Sequence, residues 1–344
     1  MKFNIKKIII YIILLFNISI VSYDEYENKK IEKLWDFDTV DRKPIEIDKK
    51  QSGTPKNNLP PFLSVFTSEK QEFQIVPQTD NVINGKNGTT IFIPANSISL
   101  PMSFRRGDIV VLELVEVLND LDYLTSGVDL NYTDSRGSNY ILETGGMVKM
   151  FISYYSKPLV LKKGTRLRLN IPMKDSTKQM KVYKIDETRD VWIEKGSDDK
   201  PTNSSESKDR ITNYMDDLQW WGFNSPNSET TCVSGTIESP DKNPPYSIAV
   251  FGLDYKNVMV KNFNTIEFSI NSLKDKKIKI LAMDEKGNIG VSGEILTNGE
   301  RVYLVDEKNS SKCIKIGSIS LKKVPADIRQ NRNKFLNFLG LKED

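Results

Sequence analysis

From Ile75 to Lys323 the chain is cut into short apolar or alternating runs by turn residues, and this punctuation constrains the fold more than any other feature. "TTIFIP" is apolar on both faces from Ile91 to Ile93, "DIVVLELVEVL" alternates, and "MVKMFISYY" places Met150 and Ile152 on one face with Phe151 on the other. Short runs of this kind are strands. Between them stand Asn87-Gly88, "DSRGSN" at 134–139, "KKG" ending at Gly164 and "DETRD" at 186–190, all hairpin material. Strands recurring about every ten residues, with no helical stretch among them, predict an antiparallel sandwich over residues 75–196.

Residues 197–215 are rich in Ser, Asp and Lys and read as a linker. A second strand series follows, including "YSIAVFGL", "NVMVKNF", "TIEFSI", "KIKILAMD", "RVYLVD" and "CIKIGSISL", with turns at "DEKGN" and "TNGE". At the end, Pro325 stands at a first helical position, Phe335, Leu336 and Leu339 share helical spacing, and Gly340 is a natural stop. The expectation is an all-β chain: two antiparallel β-sandwich domains in tandem, 75–196 and 216–344, with a short C-terminal helix docked on the second. A chain of 344 residues has room for both cores.

The glycines of "NGKNGTTIFIPANSI" at 84–98 suggest a phosphate-binding loop, but such a loop needs a helix N-terminus with a Lys-Ser/Thr pair behind it. Here Asn87-Gly88 leads into a strand that stops at Pro94, so the glycines serve a turn and no nucleotide is expected.

At the N-terminus Lys2, Lys6 and Lys7 precede an apolar stretch from Ile8 to Ser22, which has the length of a signal-peptide core and is short for a membrane span. Residues 1–22 are expected to be a cleaved export signal, with an uncleaved membrane anchor as the alternative. Residues 23–74, polar and punctuated by proline, read as an extended arm in which Trp35 and Phe37 pack on a neighbouring domain. An exported chain lies in the periplasm, at the cell surface or outside the cell, where disulfides persist. The two cysteines, Cys232 and Cys313, are candidates for one disulfide worth about 4 kcal/mol, with two buried thiols as the alternative.

A net charge of +3 from 49 basic and 46 acidic residues, spread along the chain, provides no basic face for nucleic acid. Zero histidines remove the usual general base and the commonest metal ligand. Neither a cofactor nor a metal is expected, and no stretch has the spacing of a calcium loop. Paired carboxylates are the one catalytic constellation left open, with Glu113, Glu116, Asp120, Asp122 and Glu143 to inspect. Glu113 and Glu116, an odd number of positions apart, point to opposite faces of a strand and do not form such a pair by themselves. Arg166 and Arg168 lie on a face opposite Leu167 and Leu169. Trp220, Trp221 and Phe223 form either the apolar start of the second domain or an exposed platform for sugar stacking.

At the level of motifs, "GKNGTTIFIPANSI", "GDIVVLELVEV", "LETGGMVKMFI", "RLRLNIP" and "MKVYKID…VWIEKG" resemble the sandwich domain shared by ankyrins, netrin receptors and tight-junction scaffold proteins. They are also similar to uncharacterised exported proteins of Bacteroidota. Over residues 75–195 the resemblance implies a β-sandwich and an exported protein more than any function; the eukaryotic domains act in protein–protein assembly. The self-cleavage at His-Phe-Ser known in one branch does not carry over to a chain without histidine.

Three functional classes follow. The first is an exported, non-enzymatic envelope or surface protein that binds other proteins. The second is a glycan-binding or adhesive module using Trp220, Trp221 and Phe223, and the third a histidine-free hydrolase.

Overall fold

The computed structural model describes residues 61–172, 180–186, 191–195, 202–203, 210–240, 244–306 and 309–341, all within one compact unit, Ser52–Asp344. The expected signal segment, residues 23–60 of the arm with Trp35 and Phe37, and most of "DETRD" lie outside the described residues.

Strands dominate, as expected, in four sheets. In the first, β1 (Lys70–Ile75), β4 (Val110–Val117), β6 (Asn139–Tyr154), β13 (Trp220–Asn227), β9 (Lys181–Asp186) and β10 (Val191–Glu194) lie side by side. Short β5 (Asn131–Thr133) and β7 (Lys157–Pro158) also pair with β6. The second runs β11 (Thr202–Asn203), β12 (Arg210–Met215), β8 (Leu167–Pro172), β3 (Thr90–Ile93) and β2 (Asn81–Asn84). Period-two alternation turns these sheets face to face: Val110, Leu112 and Leu114 of β4 and Val148, Met150 and Ile152 of β6 share a core with Ile91 and Ile93 of β3 and Leu167, Leu169 and Ile171 of β8. Each such fully buried side chain contributes about 1.5–3 kcal/mol.

The second sandwich combines a three-stranded sheet, β17 (Glu267–Leu273), β14 (Thr230–Glu238) and β21 (Ile314–Ser320), with a larger one. The latter holds β16 (Val258–Phe263), β15 (Tyr246–Gly252), β18 (Lys277–Asp284), β19 (Asn288–Val291) and β22 (Lys322–Lys323), with β20 (Ile295–Leu296) on β18. The β14–β21 ladder is parallel, unlike the others.

The element boundaries differ from the sequence expectation at four places. The arm already contributes structure before residue 75: Pro61–Phe66 is a 3₁₀ helix with Leu63 and Phe66 buried, and Lys70–Ile75 pairs with β4. Residues 210–215 of the expected linker are a strand, because Ile211 and Met215 supply an apolar face that the neighbouring polar residues mask in composition. The Trp220–Asn227 strand lies inside the first sandwich, between β6 and β9, and not at the start of the second; the chain crosses over between Asn227 and Thr230. Asp120–Ser126 is a helix, capped by the Asn119 side chain, which accepts from the Asp122 N–H at 3.0 Å, and stopped by left-handed Gly127.

The C-terminal helix is present over Arg332–Leu339, after a short turn of helix at Ala326–Gln330, and ends at left-handed Gly340. Its docking site is broader than the second sandwich. Phe335, Leu336 and Leu339 join Leu63, Phe66, Leu121 and Leu124 with Ala249, Phe251, Leu281 and Met283 in a third core. The rings of Phe66 and Phe335 stack with centroids 4.7 Å apart. Arg332 closes the same junction, donating to the Phe66 carbonyl at 3.2 Å, to Asn119 at 2.6 Å and to buried Asp122 at 2.8 Å.

Cys232 and Cys313 are joined in a disulfide across 81 positions, packed against Val302 and Val305. Because the loop is long, replacing both cysteines with alanine is expected to lower the unfolding free energy by about 2–5 kcal/mol in urea denaturation. An unchanged midpoint would contradict this role.

Candidate functional site

Strand geometry disperses the aromatic cluster. Trp221 and Phe223, two apart, point into the first sandwich and are fully buried, while Trp220 points to the other face and is half-buried against the third core. Lys149 sits over the Trp220 ring at 5.6 Å, and the Trp221 indole N–H donates to the Asp217 backbone carbonyl at 3.2 Å. The three rings therefore do not make one platform, because alternation forbids adjacent strand residues from sharing a face. Gly222 lies between them where a Cβ would come within 2.9 Å of Trp192.

The acidic candidates are separated in the same way. Glu113 points outward and pairs with Lys70 at 3.1 Å, whereas Glu116 on the other face is fully buried. Asp122 is held by Arg332, and buried Glu143 accepts from the Asn227 amide at 2.9 Å. Asp284 of "DEKGN" is likewise internal, accepting from the Asn288 N–H at 2.9 Å and side chain at 2.7 Å. No group of three or more Cys, Asp or Glu able to hold a metal occurs among the described residues.

Glu116 explains the glycine motif. One carboxylate oxygen accepts from the Asn87 N–H at 2.9 Å and the Gln71 amide at 2.7 Å, and the other from the Thr89 N–H at 2.9 Å. The Gln71 side-chain oxygen in turn accepts from the Lys86 backbone N–H at 2.7 Å. A Cβ at Gly85 would lie 2.7 Å from this carboxylate, and Gly88 occupies the left-handed region at φ 95°. The loop that resembles a phosphate cradle is thus built round an anion, but the anion is the protein's own.

Tyrosines carry the largest electrostatic perturbations. The Tyr154 hydroxyl donates to Asp108 at 2.6 Å, and that bond, with burial and the nearby negative charge, pushes the phenol up to about 12. The same bond, helped by the Arg105 N–H, holds Asp108 below the ordinary carboxylate range. Burial, then the charge of Glu194, raises Tyr183, and burial raises Tyr255. None of these phenols is poised as a base near neutral pH.

One feature escaped sequence reading because it depends on which strand ends a sheet. Among the described residues β21 is the terminal strand of its sheet, with β14 on one side and no ladder partner on the other. A groove of about 880 Å³ runs between it and β19. Ile295, Ile314 and Ile316 line it, as do Lys315, Lys322 and Lys323.

Arg166 and Arg168 are exposed opposite buried Leu167 and Leu169, as expected, and the Arg168 guanidinium lies 5.3 Å from the centre of the Phe92 ring. No helix among the described residues is long and apolar enough to cross a membrane.

No protein-family model matches the chain, and no curated protein sequence matches it. A solved structure with some likeness is gamma-CGTase from alkalophilic Bacillus clarkii, at 10% identity and a TM-score of 0.19. The aligned part takes in 75% of this chain and 42% of that one, so the chain spans less than half of that enzyme.

Two outcomes are expected. Glu116→Ala leaves the buried Thr89 N–H and the part-buried Asn87 N–H and Gln71 amide without this acceptor and should cost roughly 1–3 kcal/mol in urea denaturation, with faster amide exchange at Asn87 and Thr89. For the Asp108–Tyr154 pair, stability is fully present above the unfolded carboxylate range, near pH 4, and is lost as pH falls through the lowered Asp108 value. On the alkaline side it is complete below the unfolded phenol value, near 10, and is lost as pH rises through about 12. Ultraviolet titration of the wild type against Tyr154→Phe should show one fewer phenol ionising near pH 12; ionisation near 10 would refute the coupling.

Proposed function

We propose that this chain is an exported, non-enzymatic envelope or surface protein that binds other proteins through its sandwich surfaces. The observation that carries the reading is the disposition of the acidic candidates. Glu116, Asp122, Glu143 and Asp284 are tied to backbone and side-chain partners inside the fold, where they set loops and junctions. The free strand edge at β21 offers instead the main-chain donors and acceptors by which sandwiches bind extended polypeptide. The disulfide suits an oxidising compartment, in keeping with the Lys-flanked apolar segment at residues 2–22. Kinship with the assembly domain of ankyrins, netrin receptors and tight-junction scaffolds, and with the exported bacterial proteins, belongs to the same proposal and rests on the motifs of residues 75–195.

The test is cross-linking of an affinity-tagged full chain in the cells that make it, followed by mass spectrometry. Reproducible capture of one or two envelope proteins is expected, from a mature chain beginning near Tyr23. Capture of nothing but the chain itself would overturn the reading and direct attention to Trp220 as a sugar contact.

A further inference from the structure

Resting on the protein-binding reading above, we infer that the open edge of β21 and the adjoining groove receive an extended, acidic segment of a partner polypeptide by strand addition. Three observations converge on this edge. First, β21 has a ladder only with β14, so the main-chain groups on its other side have no strand partner among the described residues. Second, the space beside it is a slot between the two sheets of the sandwich. The half-buried side chains of Ile314 and Ile316 on one wall and Val291 and Ile295 on the other expose an apolar floor of the kind an interior strand would cover. The volume of about 880 Å³ lies in the range of sites that hold a ligand.

Third, the rim is positive. Lys315, Lys322 and Lys323 are exposed and have no ion-pair partner among the described residues, with Glu294 as the one acid among the lining residues. An incoming strand with apolar residues at every second position would place them on the isoleucines and turn its intervening residues toward the lysines. Acidic residues suit those outward positions. The same charges oppose a second copy of this chain, since pairing two β21 edges would bring lysine rows together. The left-handed turn of Gly317, at φ 79°, and the register shift beside it shorten the usable edge.

The full chain is tested with two synthetic ten-residue peptides, valine alternating with glutamate or with lysine. The glutamate peptide is expected to bind, to slow amide exchange across residues 314–320, and to weaken as salt is raised. Lys315→Glu combined with Lys323→Glu should weaken it roughly tenfold or more, the lysine peptide then becoming the better ligand. Lys315→Ala with Lys323→Ala serves if the double reversal melts early, and should also weaken binding. Absence of binding, protection confined to other strands, or indifference to both double variants overturns the inference. Envelope proteins captured by cross-linking together with an unprotected β21 would sink this inference alone. Failure to capture any protein sinks the broader reading.

Discussion

The two sandwiches form one body because the sheet containing β15 is covered on both faces. Every residue of β15 from Tyr246 to Gly252 is buried: Tyr246, Ile248 and Val250 face the three-stranded sheet, while Ala249 and Phe251 face the third core. β18 repeats the division, with Ile278, Ile280 and Ala282 on one side and Leu281 and Met283 on the other. A layer apolar on both faces cannot stop at a two-layer sandwich. The first sheet, the Asp120–Ser126 helix and the C-terminal helix supply the extra cover.

This arrangement determines where polar groups are usable. Asp122 is buried at the junction and meets Arg332, so the charges there act as a clasp between segments 210 positions apart. Net stabilisation by such a pair is small, but removing one partner leaves a buried charge alone. Glu116 does the same for a loop: burying an acid beneath backbone N–H groups fixes residues 85–89 without secondary structure of their own.

The strand series was legible where local pattern and burial agree. Ile91 and Ile93, Leu167 and Leu169, and the helix-spaced Phe335, Leu336 and Leu339 all occupy core positions that period alone marks. The Asp120–Ser126 helix carried readable signals in Asn119 and Gly127, but its short length let the surrounding strands overrule them. β12 was hidden by composition, because the apolar positions of "RITNYM" are diluted by polar neighbours. The role of the aromatic cluster turned on register. Nothing local tells which side of Trp220 meets β6, and the parallel pairing of β14 with β21 joins residues about 80 positions apart. Edges and grooves made by such distant pairings are invisible in any one segment.

The stacking of Phe66 on Phe335 ties the first described turn of the chain to its last helix. A ribosome delivers a chain N-terminus first, so the third core stays unroofed until Phe335, Leu336 and Leu339 emerge. The first sandwich can close its own interior earlier, yet Leu63, Leu121 and Leu124 then await their cover. Completion of this core therefore waits on Arg332–Leu339, and a product lacking that helix would present the sticky underside of two otherwise folded sandwiches to the cell's proteases and chaperones.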